Sequence, residues 1–284
     1  MNEEIIVIGS NGFIGKHFFK AINPKYYTSR KSSPYHIDLK NPSLDAISTE
    51  SLRFAIIAAA CPNIVYCEKH PDETYQTNVE GTLKLTELLL EKAIFPILFS
   101  SDYVFSGIEG DYLEDSSLSP TTVYGSQKAE LENRIHQVSG GNHLILRLSK
   151  IYSLETGDGT LLDEMAKNLT TGLSVKAATD QIFCPLVIDD LVAVTLKLIE
   201  NNHKGLFNLG GKDKISRFQL AERLATSLNI SNTKVLPIQL NDLNPSISRP
   251  QNTSLISEKV FSLLGYTPIS IEHAIHTISN HFQE

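Results

Sequence analysis

Tyr124-Gly125-Ser126-Gln127-Lys128 sets a phenol and an ammonium at helical spacing, so both side chains project from one face. An ammonium close to a phenol favours the phenolate and draws its pKa down from about 10 toward the working range. Such a phenol can serve as general acid toward a carbonyl being reduced, or as base toward an alcohol being oxidised. The same substrate oxygen needs a second hydrogen-bond partner. Ser101, in Ser100-Ser101-Asp102-Tyr103 after the apolar run ending at Phe99, is placed to supply it. The pairing of Tyr124 and Lys128 alone identifies nothing, because Y-x-x-x-K recurs on ordinary helices.

A second cluster opens the chain. Ile5-Ile6-Val7-Ile8 is a β-branched run followed by glycines at 9, 12 and 15, with Asn11, Phe13 and Ile14 between them. A strand, a tight glycine turn and a helix start in that order let backbone approach a pyrophosphate. The N–H groups of the first helical turn then face its charge. Beyond the second strand the residues are Ser29, Arg30 and Lys31, where an NAD site would place an acid. Two cations and a hydroxyl suit a 2′-phosphate, so NADP(H) is preferred and NAD(H) is the weaker choice. Solvated surface cations are the bland alternative. Asp38 and Leu39 follow a third run, and Asp38 could accept from an adenine amine or simply close an exposed turn.

Positioning these groups requires an ordered scaffold. Short apolar runs alternate with helical patterns through the first half: strands at 5–8, 25–28, 35–39, 54–59, 94–100 and 143–148, and helices at 12–21, 72–92 and 124–138. Strict alternation predicts right-handed βαβ units and an α/β, Rossmann-type, doubly wound parallel sheet. After residue 149 the rhythm changes, with Ser216 as the N-cap of a helix through Leu228. The expected division is a dinucleotide-binding domain over 1–150, joined by 182–202. A smaller C-terminal substrate-binding α/β part covers 151–181 and 203–284, with the substrate in the crevice between the two.

Composition bounds the function. At 284 residues, with 41% hydrophobic and 20% charged residues, the chain can bury a large core. A net charge of −7 argues against a nucleic-acid surface. The longest apolar run, Phe54 to Cys61, is strand-sized and predicts no membrane span. The acidic start MNEEIIVIGS enters a strand at once and reads as no signal peptide. Cys61, Cys67 and Cys184 cannot make a disulfide framework and read as reduced packing residues of a cytoplasmic protein.

The chain resembles the extended short-chain dehydrogenases/reductases, and within them the dTDP-4-dehydrorhamnose reductase family. The resemblance is carried by GSNGFIG, the alanines 58–60, CEKHPDETYQTNV, SSDYVFSG, SPTTVYGSQKAELE, LRLSKIYS, DQIFCPLVIDDL, GLFNLGG and SRPQNTSL. It implies Ser101, Tyr124 and Lys128 as the catalytic three, with Lys128 also orienting the ribose. Ala58, Ala59 and Ala60 would run beside the cofactor, and Asn78 near the active-site backbone. Asp102, Tyr103, Lys150, Arg249 and Asn252 would lie toward the sugar nucleotide. The implied reaction is reduction of a nucleotide-linked 4-keto-6-deoxy sugar by NADPH, in deoxysugar, dTDP-rhamnose and lipopolysaccharide precursor synthesis. A homodimer is an open expectation, and no metal ligands are traceable.

Two departures bear on the product. Ile64-Val65 stands where the family commonly has Val-Asp, and Lys150 where it has Trp. A different deoxy sugar, or a branched or five-carbon one, fits equally well. A 4,6-dehydratase would carry Asp-Glu after the catalytic hydroxyl, whereas here Tyr103 follows Asp102. An epimerase would retain NAD, which Arg30 and Lys31 disfavour. A regulatory subunit like the β subunit of methionine adenosyltransferase shares the fold without the reaction and stays open.

Overall fold

The structure is a computed structural model that describes residues 2–29, 33–243 and 245–283. Its centre is a six-stranded parallel sheet of Rossmann type. The strands are β1 (Ile5–Ile8), β2 (Tyr26–Thr28), β3 (Phe54–Ile57), β4 (Phe95–Ser101), β5 (Leu144–Leu148) and a last strand, Gly205–Leu209. Across the sheet the order is Gly205–Leu209, β5, β4, β3, β1, β2. β1 pairs in parallel with both β2 and β3, and β3 with β4. The chain thus leaves β1 toward one edge and resumes at β3 on the other side. That reversal opens a crevice at the carboxyl ends of β1 and β3. β1 is buried at every position, as expected of a strand covered on both faces.

Five helical segments matter for the site: α1 (Phe13–Ile22), α2 (Ile64–Lys69), α3 (Pro71–Tyr75), α4 (Thr82–Glu91) and α5 (Val123–Ser139). Ile6, Ile8, Ala55, Ile57 and Leu98 of the sheet form one core with Val79, Leu83, Leu131 and Ile135. Removing each such side chain from water contributes roughly 1.5–3 kcal/mol, which fixes the helices against the sheet.

Two expectations need correction. The helix predicted over 72–92 is broken: α3 passes through a π-helical turn, Gln76–Gly81, before α4 begins. Gly81, the last residue of that turn, lets the chain pack close: an added Cβ there would stand 1.7 Å from the carbonyl oxygen of Leu39. The strand predicted over 35–39 is a single bridge, Thr28 to Tyr35. Beyond it the chain turns at Asp38, whose carbonyl accepts from the Asn41 N–H at 3.0 Å.

The chain divides into two compact units. The first comprises 1–104, 118–147 and 192–207, and the second 105–117, 148–191 and 208–284. The second has its own core, in which Leu162, Met165 and Leu169 pack with Leu220, Leu224, Ile275 and Ile278. This division differs from the expected one at four stretches, 105–117, 148–150, 182–191 and 203–207. Residues 105–117 go with the second unit because Tyr112 and Asp111 are hydrogen-bonded to Ser254. Residues 182–191 go there because Ile182–Phe183 pairs with Ile215–Ser216.

Candidate active site

The glycine turn closes β1 onto α1. Gly9, at φ +90°, donates to the Thr28 carbonyl at 3.0 Å. A Cβ on Gly9 would meet the Ala59 backbone nitrogen at 2.7 Å, and one on Gly15 would meet the Gly9 carbonyl oxygen at 2.1 Å. Packing of the fold itself therefore demands these two glycines. Gly12 is different: it has ordinary extended backbone (φ −71°, ψ 164°), is exposed, and an added Cβ would touch only the Gly9 oxygen, at 3.4 Å. No intrachain contact among the described residues requires glycine at 12. Gly12 is also the N-cap of α1, which has no capping side chain and no acid in the turn formed by Phe13, Ile14 and Gly15. A bare, uncapped helix start with open space at its glycine fits a pyrophosphate.

Asn11 lies above this turn and donates to the Ser29 hydroxyl at 3.1 Å. Ser29 is buried, and its N–H is held by Ser33 at 2.7 Å. Arg30 and Lys31 lie outside the described residues. Asp38 is exposed and its carboxylate accepts from the Lys40 N–H at 3.0 Å, the turn-closing role. Leu39 is buried beside Gly81. Ala58, Ala59 and Ala60 are half-buried, and Ala58 N–H continues the β1 pairing to the Ile8 carbonyl at 2.8 Å. Asn78, in the π-helical turn, brackets the next peptide. Its Oδ1 accepts from Cys61 N–H at 2.8 Å and its Nδ2 donates to Cys61 C=O at 3.0 Å.

The three expected catalytic residues meet in the first unit. Thr122 caps α5 by accepting from the Gly125 N–H at 3.1 Å, a bond worth about 1 kcal/mol. Glu68 of α2 accepts from the Val123 N–H at 2.8 Å, adding a carboxylate at the positive end of the helix dipole. Gly125 allows close approach to the turn that follows β4, since a Cβ there would lie 2.2 Å from the Tyr103 carbonyl oxygen. Ser101 lies beside the Tyr124 phenol. The Ser101 hydroxyl also donates to Asp102 Oδ1 at 3.0 Å and accepts from the Tyr103 N–H at 3.2 Å.

The electrostatics depart from the spacing argument. Burial and the neighbouring Asp102 carboxylate raise the Tyr124 phenol above its ordinary value, and the Ser101 hydroxyl only partly offsets them. Lys128 does not pull it down: its ammonium donates to the Phe99 carbonyl at 2.9 Å and lies 5.9 Å from the Tyr124 ring centre. Desolvation pushes Lys128 down to about 8, with Glu132 opposing. The phenol thus stays protonated at neutral pH, which suits an acid in the direction of reduction. Cys67, buried close by, is pushed up to about 11 by desolvation and reads as an inert thiol.

The remaining expected residues belong to the second unit. Lys150 is exposed, and its carbonyl accepts from the Leu186 N–H at 2.9 Å. Arg249 is half-buried, with its N–H on the Ile247 carbonyl at 2.9 Å. Asn252 is engaged within its own loops: Nδ2 donates to Glu109 C=O at 3.1 Å, and Oδ1 accepts from the Ser254 hydroxyl at 2.9 Å. It holds the 107–112 loop in shape rather than presenting a free amide.

Sequence reasoning passed over Glu68, Gln127 and Glu132. Glu132 forms a buried bidentate pair with Arg147, with contacts of 2.8–3.1 Å that tie α5 to β5. Its place four residues beyond Lys128 was a readable signal. Glu68 and Gln127 act across long sequence separations and leave no local pattern.

A Rossmann sheet with a glycine turn at the switch point, Ser101 at the end of β4, and Tyr124 and Lys128 on α5 defines an extended short-chain dehydrogenase/reductase. Among known families, the sequence model described as the RmlD substrate binding domain matches residues 2–284, and the chain belongs to that family. A probable low-salt glycan biosynthesis reductase of Haloferax volcanii is 24% identical over 294 residues, covering 98% of each chain. The β subunit of methionine adenosyltransferase 2 from Bos taurus is 24% identical over 288 residues, covering 92% of this chain and 83% of that one. In fold, the chain is similar to a dTDP-4-dehydrorhamnose reductase from Bacillus anthracis solved in complex with NADP. The TM-score is 0.82, with 22% identity over 99% of this chain and 100% of the other.

Proposed function

We propose that the protein is an NADPH-dependent reductase of a nucleotide-linked 4-keto-6-deoxy sugar, acting in the cytoplasm in deoxysugar and polysaccharide precursor synthesis. The observation that carries this reading is Tyr124 and Lys128 on one face of α5, with the Lys128 ammonium anchored on the Phe99 carbonyl of the strand that ends at Ser101. Bound NADPH supplies the hydride for the keto carbon. Ser101 orients the keto oxygen, and Tyr124 donates its proton to that oxygen as negative charge develops there. Lys128 orients the cofactor ribose. Gly9, Asn11, Gly12, Phe13, Ile14 and Gly15 would hold the pyrophosphate, and Ser29, Arg30 and Lys31 the 2′-phosphate. Leu39, with Asp38 nearby, would border the adenine, and Ala58–Ala60 would run beside the nicotinamide half. Asp102, Tyr103, Lys150 and Arg249 would face the sugar nucleotide, with Asn252 acting through its loop.

The test is NADPH consumption across a panel of nucleotide-linked keto sugars, by the wild type and by Tyr124→Phe. Turnover by the wild type is expected with at least one keto sugar. Loss of about 10²-fold or more is expected in the variant, with NADPH affinity changed little. Full turnover in Tyr124→Phe would remove the phenol from its role. The similarity to the bovine β subunit supports one other reading, a regulatory NADP-binding subunit. Tight NADPH binding without turnover on any sugar of the panel would favour it.

A further inference from the structure

Gln127 lies within the Y-x-x-x-K stretch and enters none of the roles above, yet it is 4% exposed and both ends of its amide are engaged. Its Oε1 accepts from Asn78 Nδ2 at 2.9 Å. Its Nε2 donates to Thr74 Oγ1 at 2.9 Å and to the Pro71 carbonyl at 3.1 Å. The direction of each bond is forced. A peptide N–H only donates and a peptide C=O only accepts, so Cys61 orients Asn78, Oδ1 toward its nitrogen and Nδ2 toward its oxygen. The second hydrogen of Asn78 Nδ2 then needs an acceptor, which orients Gln127. At the far end Thr74 gives its one proton to a backbone carbonyl, that of His70 at 2.9 Å or Pro71 at 3.1 Å, so its oxygen is free to accept.

The result is a buried relay of fixed polarity from Cys61 through Asn78 and Gln127 to Thr74. It joins four elements: the loop directly after Ala58–Ala60, the π-helical turn, α5 at the residue before Lys128, and α3 at Thr74. Asn78 is itself 1% exposed, and a side chain there reaches the Cys61 peptide from the widened turn, a kind of distortion that recurs at functional sites. Hydrogen bonds in such a site are strong when complete, and the loss of one member leaves the others unpaired.

We infer that Gln127 is a positioning residue: it locks the Cys61 peptide to the catalytic helix, so that the Ala58–Ala60 wall and the Tyr124–Lys128 pair keep one spacing. The inference rests on the proposed reductase reading for its kinetic consequence only. The lock itself is a property of the protein without any ligand.

The test uses Gln127→Leu and Gln127→Glu in the full chain, with amide hydrogen exchange over residues 58–62 as a first readout and kinetics as a second. In Gln127→Leu, exchange over 58–62 is expected to rise about tenfold while the strands β1 and β4 keep their protection. kcat with an accepted keto sugar should fall ten- to a hundredfold, as about an ångström of misplacement would produce, with KM for NADPH within about threefold. A protonated glutamic acid can still accept from Asn78 and donate to Thr74. Gln127→Glu is therefore expected to recover protection and rate at low pH and to lose both as the carboxyl ionises. Unchanged exchange over 58–62 in Gln127→Leu would overturn the lock, as would a rise spread evenly over the chain. If Gln127→Leu does not fold, pH-independent protection in Gln127→Glu overturns it instead. A wild type that consumes no NADPH would defeat the reductase reading, while exchange would still decide the lock.

Discussion

The Lys128 ammonium sits between a backbone carbonyl that holds it and an apolar surround that penalises its charge, with the Glu132 carboxylate partly compensating. Its pKa of about 8, against an ordinary 10.5, makes activity and stability respond to pH in opposite directions. If the ammonium is the working form, kcat/KM falls as pH rises through about 8, because the charge that orients the ribose is lost. Stability behaves otherwise. Between about 8 and 10.5 the unfolded chain binds the proton more than the folded one does, so the contribution of this group to stability rises with pH. A pH series of kcat/KM alongside denaturant midpoints measures both, and Lys128→Met should flatten the alkaline limb at a lower rate. A wild-type rate that holds level to pH 10 would contradict the role given to Lys128. The i, i+4 spacing of Tyr124 and Lys128 gave their proximity correctly. It could not give the direction of the phenol shift, because Asp102 and the burial that decide it come from another strand.

At the scale of elements, the strand–turn–helix opening was legible because its glycines carry local conformational demands. The structure then separates those demands. Gly15→Ala forces a Cβ against the Gly9 carbonyl and is expected to cost stability by about 1–3 kcal/mol or more, read from thermal or denaturant midpoints. Gly12→Ala clashes with nothing in the chain and is expected to leave the midpoint nearly unchanged while weakening NADPH at least tenfold. Cofactor affinity equal to wild type in Gly12→Ala would remove the pyrophosphate from that turn. The alternation of apolar runs likewise showed the parallel sheet, and Ser216 showed its helix, where a full capping box with Gln219 is present. Less visible was the π-helical turn at Gln76–Gly81. Leu39, more than thirty residues away, packs against its last residue, Gly81, and helical periodicity through Thr74 to Leu85 hides the insertion. The run at 35–39 failed as a strand for the opposite reason: its apolar residues are buried, but its backbone is spent on the Asp38 turn.

At the scale of the molecule, the second unit was harder to read. Its pieces come from three stretches of chain, and the segment 105–117 follows β4 so closely that sequence order assigns it to the first unit. Tyr112 decides otherwise. Its ring stacks on Phe105 at 4.2 Å, and its hydroxyl accepts from the Gly107 N–H at 3.0 Å, giving the loop a fixed shape. Asn252 and Ser254 then clamp that loop from the far end of the sequence. Membership in the RmlD substrate binding domain family covers both units, whereas Val65 and Lys150 set the chain apart at positions the resemblance assigns to the sugar. The proposed chemistry is hydride transfer to a keto carbon. Transfer of label tests it most directly: NADPH deuterated at C4, each face in separate runs, is incubated with a nucleotide-linked 4-keto-6-deoxy sugar and the product is analysed by mass and NMR. The expected result is a single deuterium on the former keto carbon, delivered from one face only. Reduced sugar without label in both runs, or NADPH bound but never oxidised by any keto sugar, would contradict the assignment.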